Sequence, residues 1–171
     1  MSKTVKLHRG LDISLQGVAA KEKSTVKVGK IYALQPDDFE GVKPKVVVKE
    51  GDKVKAGEPL FINKAYPEVK FASPVSGTVS LVERGERRKV LSVQVEADAQ
   101  QEFVDFGKKD AKSLSGADVK KALLEAGLFG YINQLPYAIS TNDQTEPKAI
   151  FVSALRDMPL AGDFEYEVKG Q

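Results

Sequence analysis

The chain has 171 residues, a formal net charge of +2, one histidine and no cysteine. The lack of cysteine excludes disulfides, thiolate metal ligands and cofactors attached through sulfur, and a single histidine, His8, excludes a multi-histidine metal site. Charges of both signs are interspersed, unlike the concentrated basic footprint of a nucleic-acid-binding protein, and no apolar run approaches the roughly 20 residues that span a bilayer.

The first hundred residues predict short β-strands separated by glycine turns. Residues 9–13 begin with an arginine and a glycine and then alternate, and residues 26–33 predict a strand interrupted at Gly29. Residues 36–39 predict a turn that ends on an aromatic residue. Further strands are predicted at 46–48, 60–62, 69–72, 78–82 and 90–95, with a hairpin tip at 84–87. Short strands with this turn frequency are typical of a small barrel or sandwich.

The pattern changes to a helical period after residue 113. Residues 115–118 resemble a capping box in which aspartate replaces the usual glutamate, and Gly127 is a helix stop. The side chains expected on one apolar helix face are Val119, Ala122, Leu123 and Ala126. Residues 149–152 then predict a buried strand, and this helix-to-strand order is typical of an α/β layer.

The joint between the two patterns lies near residues 100–112, where charged and amide side chains dominate. Phe103 and Phe106 interrupt it, which predicts a linker packed against a domain. We therefore expect an α+β protein, with a β-domain over residues 1–100 and an α/β domain over residues 101–171. A single helix and strand cannot close a sheet, so we expect this second domain to be incomplete.

Residues 48–61 followed by 71–79 resemble the hammerhead of lipoyl and biotinyl carrier domains, a barrel-sandwich hybrid. Gly51 and Gly57 permit turn geometries that side chains hinder, and Val54 and Leu60 fill a small core. The resemblance places a carrier's modified lysine at Tyr66. The nearest lysine, Lys64, lies two residues too early, so we predict an ordinary loop lysine and no covalent cofactor.

Six segments occur in the order found in the A subunit of the bacterial sodium-translocating NADH:quinone oxidoreductase, and together the chain resembles that family. They are residues 9–13, 36–44, 73–79, 84–88, 122–128 and 148–154. The resemblance implies a peripheral subunit on the cytoplasmic face of the inner membrane, docked to integral membrane subunits. It implies a role in quinone reduction and in coupling electron transfer to sodium export. NADH and flavins would be handled by other subunits, and residues 127–131 lack the clustered glycines of a nucleotide-binding loop.

Two loops are candidate quinone contacts, because a quinone needs flat apolar surfaces and one or two hydrogen-bond donors. In the loop at 128–137, the surface would come from Phe129, Tyr131 and Tyr137, and the donors from Asn133 or Gln134. The alternative is a loop that packs on the second domain's core. In the loop at 34–39, Phe39 is either a ligand or partner contact or the anchor of a turn.

The hairpin tip carries a local basic cluster of Arg84, Arg87 and Arg88, followed by Lys89. It is either a solvated tip or a contact for an acidic partner surface or anionic lipid headgroups. His8 is interpreted as structural, and the two carboxylates at 37–38 are too few to predict a metal site. One alternative function is a stand-alone carrier domain that bears biotin or lipoate, which the displaced lysine and the additional α/β segment disfavour. Another is an unmodified carrier-like domain used as a docking adaptor, which the absence of coiled-coil heptads disfavours.

Overall fold

The computed structural model describes Lys6 and residues 15–110, 112–153 and 160–169. The chain forms two compact units, Val28–Glu146 and a second made of Met1–Lys27 with Pro147–Gln171. His8 and the predicted segment at 9–13 lie outside the described residues.

The unit Val28–Glu146 is built on two main antiparallel sheets, with a short hairpin added. The strands are β1 Ile31–Leu34, β2 Pro44–Val46, β3 Lys53–Val54, β4 Pro59–Asn63, β5 Lys70–Ala72, β6 Gly77–Arg84, β7 Val90–Ala97, and the hairpin pair β8 Asn133–Gln134 and β9 Ile139–Ser140. The four-stranded sheet has the order β1-β7-β6-β3 and the three-stranded sheet the order β2-β4-β5. The described residues thus contain sheets with few, separate helices, the α+β class that the sequence predicts.

One hydrophobic core joins side chains from both main sheets. Leu60, Phe61 and Phe71 come from the three-stranded sheet, and Val79 and Val95 from the four-stranded one, and all are at most 1% exposed. Full burial of such a side chain contributes about 1.5–3 kcal/mol. Short strands can therefore form a stable domain because both sheets share this core.

The predicted strands at 46–48 and 26–33 are wrong in their limits. β2 ends at Val46, although the N–H of Val47 still donates to the carbonyl of Leu60 at 3.0 Å. β1 is only Ile31–Leu34, because its pairing with β7 covers just these residues. Val26 and Val28 are 80% and 84% exposed, since no described strand lies beside them.

The turns predicted at Gly51 and Gly57 are confirmed. Gly51 and Gly57 have φ of +91° and +99°, in the left-handed region that glycine tolerates best. The linker is packed through its backbone and through Phe106, which lies against Gly57, but Phe103 is 70% exposed. Residues 102–104 of the linker run parallel to the chain at Ala56. The N–H of Ala56 donates to the carbonyl of Glu102 at 2.9 Å, and the carbonyl of Ala56 accepts from the N–H of Val104 at 2.9 Å. Residues 102–104 therefore form an additional strand-like segment beside the turn at 56–57.

Helix α1, Gly116–Glu125, has the predicted capping box. The hydroxyl of Ser115 accepts from the N–H of Asp118 at 3.2 Å, and the Asp118 carboxylate accepts from the N–H of Ser115 at 3.2 Å. Its predicted apolar face is only partly right, because Val119 is 37% exposed and Leu124 packs against the core instead. The reason is that the helix meets the sheet near its C-terminal end, where Gly127 lies tightly against Ala72.

The predicted buried strand at 149–152 is wrong. Ile150, Phe151 and Val152 are 74%, 83% and 87% exposed and belong to no strand. A strand needs a neighbour for its backbone groups, and the described part of the chain pairs no strand with this segment. The second unit contains the short helix α2, Phe164–Val168, capped by Asp163.

No helix in the described ranges is long and apolar enough to cross a membrane. The division at residue 100 between the two predicted domains stays a prediction.

Candidate functional site

The loop between β4 and β5 stands where a carrier domain presents its lysine. Asn63 is buried, and its side-chain oxygen accepts from the N–H of Ala65 at 3.0 Å. The N–H of Val69 donates to the carbonyl of Tyr66 at 2.9 Å, which closes the loop. Tyr66 packs against the hydrophobic core, and Lys64 is exposed at the start of the loop. A swinging cofactor arm needs a free attachment point, and the expected position is instead an anchored aromatic.

The two predicted quinone loops meet through an aromatic cluster on the three-stranded sheet. Phe39 follows a short 3-10 helix, Pro36–Asp38, and is 9% exposed. Its ring centroid lies 4.3 Å from that of Phe71 and 5.0 Å from that of Tyr131, with the Tyr131 ring at 90°. Phe71 stacks on Phe61 at 4.8 Å. Edge-to-face and stacked pairs of this kind each add about 0.5–1.5 kcal/mol beyond their buried area.

Gly130 allows the second loop to approach the cluster closely. It lies in a 3-10 helix, Phe129–Tyr131, and a Cβ placed on it would lie 2.7 Å from Cε1 and Cζ of Phe71. Phe129 packs against the core. Phe129 thus anchors the loop to the core, and Tyr131 is the aromatic ring of this loop that remains exposed.

Backbone bonds fix the hairpin of β8 and β9 beside these rings. The N–H of Ser140 donates to the carbonyl of Glu40 at 3.0 Å, which ties the hairpin to the 36–42 loop. The buried Ser140 hydroxyl donates to the carbonyl of Gly130 at 2.6 Å. Ile139 lies directly against Gly41, where a Cβ would come within 2.6 Å of Cγ2 of Ile139. The two loops therefore form one structural unit.

The remaining predicted quinone residues lie on this hairpin. Asn133 is exposed, and the side-chain amide of Gln134 donates to the Thr141 hydroxyl at 3.1 Å. Tyr137, near the hairpin tip, is 78% exposed and makes no ring contact with another described residue. Phe39, Phe129 and Tyr131 are thus brought together, Asn133 and Gln134 lie next along the chain, and Tyr137 stands apart.

Burial raises the pKa of Tyr131 above the usual tyrosine value, and the negative charge of Asp38 raises it further. Its hydroxyl therefore stays protonated at neutral pH and remains a hydrogen-bond donor. This is the chemistry that a carbonyl oxygen requires of a neighbour.

The predicted basic cluster is at the tip of the β6–β7 hairpin and is exposed. Arg87 and Arg88 have φ of +54° and +62° in a short 3-10 helix, Glu86–Arg88. Lys89 pairs with Asp37 at 2.6 Å, and Arg84 donates to the carbonyl of Arg88 at 3.3 Å. Among the described residues, the side chains of Arg87 and Arg88 have no ion-pair partner, so they remain available to an acidic surface.

A separate concave feature has a volume of about 290 Å³ and holds none of the predicted site residues. It lies between helix α1 and the segment that leads into β5, and it is lined by Glu68, Lys70, Ala117, Lys120, Lys121, Leu124 and Glu125. Within the described ranges, no group of three or more His, Asp or Glu side chains is placed to hold a metal ion.

Sequence reasoning missed the residues that hold the two loops together. Ser140, Glu40 and Ile139 make the joining contacts, and nothing in their local sequence identifies such long-range partners. For Ser140 and Ile139 the sequence does contain a signal of packing, because they lie in residues 126–142, which contain no Asp, Glu, Lys or Arg.

Two family models match the chain. Residues 5–98 match the NqrA N-terminal barrel-sandwich hybrid domain, and residues 114–171 match the NqrA second alpha/beta domain. The predicted barrel-sandwich hybrid fold followed by an α/β segment is thereby confirmed.

Curated relatives share one name, which describes the A subunit of the Na(+)-translocating NADH-quinone reductase. The protein from Pseudomonas aeruginosa (strain UCBPP-PA14) is 34% identical over 161 residues, 93% of this chain and 36% of the relative. The Yersinia pestis protein is 35% identical over 164 residues, with the same shares. The protein of Marinomonas sp. (strain MWYL1) is 34% identical over 168 residues, 97% of this chain and 38% of the relative. The chain spans little more than a third of the length of these relatives. With its amino-terminal barrel-sandwich hybrid and the α/β segment after it both matched in order, the chain belongs to the NqrA family, the A subunits of Na(+)-translocating NADH-quinone reductases.

Proposed function

We propose that the chain acts as the A subunit in a Na(+)-translocating NADH-quinone reductase, where it is a peripheral component associated with quinone reduction and with coupling to sodium export. The relatives' shared name supports this assignment. We further propose that it lies on the cytoplasmic face of the bacterial inner membrane, with other subunits of the complex, including integral membrane subunits, as partners. In this proposal the chain binds no covalent cofactor, and NADH and flavins belong to other subunits.

The observation that carries the quinone assignment is the meeting of the two aromatic loops. A quinone ring is flat and apolar, and the half-exposed face of Tyr131 beside Phe39 offers a surface of that kind. The protonated Tyr131 hydroxyl and the amides of Asn133 and Gln134 supply donors for quinone carbonyls. We propose that Phe129 fixes the loop and that Tyr137 contacts the ring or its tail.

The test is labelling of the assembled complex with a photoreactive quinone analogue, followed by mapping of labelled peptides. We expect label within residues 30–45 or 125–140. Substitution Tyr131→Leu removes both the ring face and the donor, so it should lower the labelling several-fold, whereas Tyr166→Leu is a matched control on α2 that should leave it unchanged. Label confined to other regions of the protein would defeat the site assignment.

The basic cluster at the tip of the β6–β7 hairpin supports a second contact within the same proposal. Arg87 and Arg88 are exposed and unpaired among the described residues, so they suit an acidic surface on a partner protein. Reversing both charges to glutamate should slow association with the rest of the complex, most strongly at low salt. An association rate that is unaffected at every salt concentration would count against this contact.

The alternative is an unmodified carrier or docking adaptor domain, which the carrier-like β4–β5 loop suggests. The packed Tyr66 and the exposed, displaced Lys64 argue against a carrier. An intact mass that includes a biotinyl or lipoyl adduct on Lys64 would instead identify a modified carrier and would overturn the role in the reductase. The proposed cofactor distribution would be contradicted by a flavin-like absorption spectrum from the purified chain.

A further inference from the structure

Ser140 connects the two aromatic loops at the positions next to their rings. Its N–H donates to the carbonyl of Glu40, the residue after Phe39, at 3.0 Å. Its hydroxyl donates to the carbonyl of Gly130, the residue before Tyr131, at 2.6 Å. Ser140 is 5% exposed, and a hydrogen bond shielded from water is stronger than one at the surface. Both rings are therefore tied through the backbone to one buried residue.

The conformational freedom of Gly130 is what makes the Ser140 hydroxyl important. Position 130 excludes a side chain, because a Cβ there would lie 2.7 Å from ring atoms of Phe71. Glycine has a wide choice of backbone conformation, so by itself it does not hold the next residue in one orientation. The carbonyl that Ser140 binds belongs to the planar peptide group that joins Gly130 to Tyr131. The hydroxyl thus supplies a restraint on Tyr131 that the glycine lacks.

Tyr131 is the ring of the pair that needs such a restraint. Phe39 is 9% exposed and packs on Phe71 with ring centroids 4.3 Å apart, so the core holds it in place. Tyr131 is 52% exposed, and its ring meets that of Phe39 at 90° with 5.0 Å between centroids. A half-exposed ring has fewer packing contacts to fix its orientation than a buried ring has. The angle between the two rings therefore depends on how the backbone at Gly130 is held.

We propose that Ser140 is a positioning residue for quinone binding, because it holds the ring of Tyr131 at a fixed angle to that of Phe39. This inference rests on the proposed quinone function and adds to it a residue that has no need to touch the ligand. A surface that is ordered before its ligand arrives binds with a smaller loss of conformational entropy. The pairing of β8 with β9 also places Ser140 opposite Asn133, one of the predicted hydrogen-bond donors.

Quinone kinetics of the assembled complex, with the full-length protein, give the first test. In Ser140→Ala the KM for a short-chain quinone should rise roughly three- to tenfold, while kcat stays within about twofold, because one binding contact is weakened. Ser140→Thr retains the hydroxyl donor and should return the KM to near the parent value. Ser73→Ala is the matched control. Ser73 is 3% exposed, and its hydroxyl donates at 2.6 Å to the carbonyl of Val75, which lies in neither loop, so the KM should equal that of the parent.

The Tyr131 hydroxyl provides a second readout, which a general loss of stability does not move. The tyrosines of the full-length protein are isotopically labelled at Cζ and titrated by NMR, and Tyr131→Phe identifies the signal. Burial and the charge of Asp38 raise the pKa of Tyr131. A ring that is no longer held against Phe39 should titrate closer to the ordinary tyrosine value of about 10. We expect this fall in the midpoint for Ser140→Ala and none for Ser73→Ala.

Three results would each overturn the proposal. An unchanged Tyr131 titration in Ser140→Ala would show that the serine does not hold the ring. Equal effects of Ser140→Ala and Ser73→Ala would show a general loss of stability instead. A shifted titration with an unchanged KM would separate the ring position from quinone binding.

Failure of the quinone site itself has a different signature. Photolabelling of the parent complex outside residues 30–45 and 125–140 would defeat that site, whereas the titration, measured without quinone, still shows whether Ser140 holds Tyr131. Melting temperatures establish that each variant is folded. If Ser140→Ala does not fold, Ser140→Cys takes its place with the same expected directions, because a thiol is a weaker donor.

Discussion

Replacing Gly130 by alanine tests the contact that seats the aromatic loop on the barrel. A Cβ at this position would lie 2.7 Å from two ring atoms of Phe71 and 3.1 Å from Cγ1 of Val69. The φ of Gly130 is not in the left-handed region, so alanine can adopt the backbone conformation. The predicted effect is therefore one of overpacking alone.

The side chains around Gly130 cannot move without a cost in free energy, and this cost sets the expected loss of stability. Phe71 is 0% exposed and is held between Phe39 at 4.3 Å and Phe61 at 4.8 Å. Insertion of a methyl group into such a core costs about 1–3 kcal/mol. For a domain of this size, we expect the melting temperature to fall by roughly 3–10 °C.

Urea denaturation followed by circular dichroism measures the change in the free energy of unfolding. Gly116→Ala is the matched control, because nothing lies within 4 Å of a Cβ there and the residue begins α1. We expect its free energy of unfolding to be unchanged or to rise by up to about 1 kcal/mol. If Gly130→Ala were as stable as the parent, the close seating of the loop on Phe71 would be refuted.

Three further outcomes are expected. Ser140→Ala leaves the buried carbonyl of Gly130 without its 2.6 Å donor, so urea denaturation should give a loss of about 1–2 kcal/mol. Ser115→Ala removes the helix cap that accepts from the N–H of Asp118, and helical circular dichroism and denaturation should give a loss of about 1 kcal/mol. The pKa of Tyr131 is raised in the folded chain, so its protonated form is favoured by folding and that stability is lost as pH rises through about 10 toward the raised value. Over that alkaline range the parent should lose stability relative to Tyr131→Phe, and parallel pH profiles would contradict a raised pKa for Tyr131.

Features encoded by a few neighbouring residues could be predicted from sequence. The turns at Gly51 and Gly57 need left-handed backbone, which glycine supplies, and both occur as expected. The capping box at Ser115 joins residues three apart, so its partners are visible in the sequence itself. The core positions Leu60 and Phe71 follow from apolar runs between such turns.

Features set by distant partners could not be predicted in the same way. The buried-strand prediction for 149–152 used a local apolar run, yet Phe151 is 83% exposed, because burial depends on a neighbouring strand and not on the run itself. The helical period predicts an apolar face of α1 that does not include Leu124. Leu124 packs against the core nonetheless, because the position of the helix on the sheet decides which side chains are covered. The contact of Phe39 with Tyr131 joins positions far apart in sequence, and the two loops were predicted only as separate candidates.

The same barrel can present different surfaces because its core and its loops obey separate constraints. The core needs Leu60, Phe61 and Phe71 whatever the domain does, so a carrier-like fold persists without a carrier lysine. At the β4–β5 loop, Tyr66 turns inward and removes the attachment point that a swinging arm requires. On the three-stranded sheet, Gly130 allows the loop at 128–137 to approach Phe71 closely. The chain therefore has a packed tyrosine where a carrier has its attachment point and a close aromatic contact between Phe39 and Tyr131, so its surface chemistry is set by the loops and not by the core.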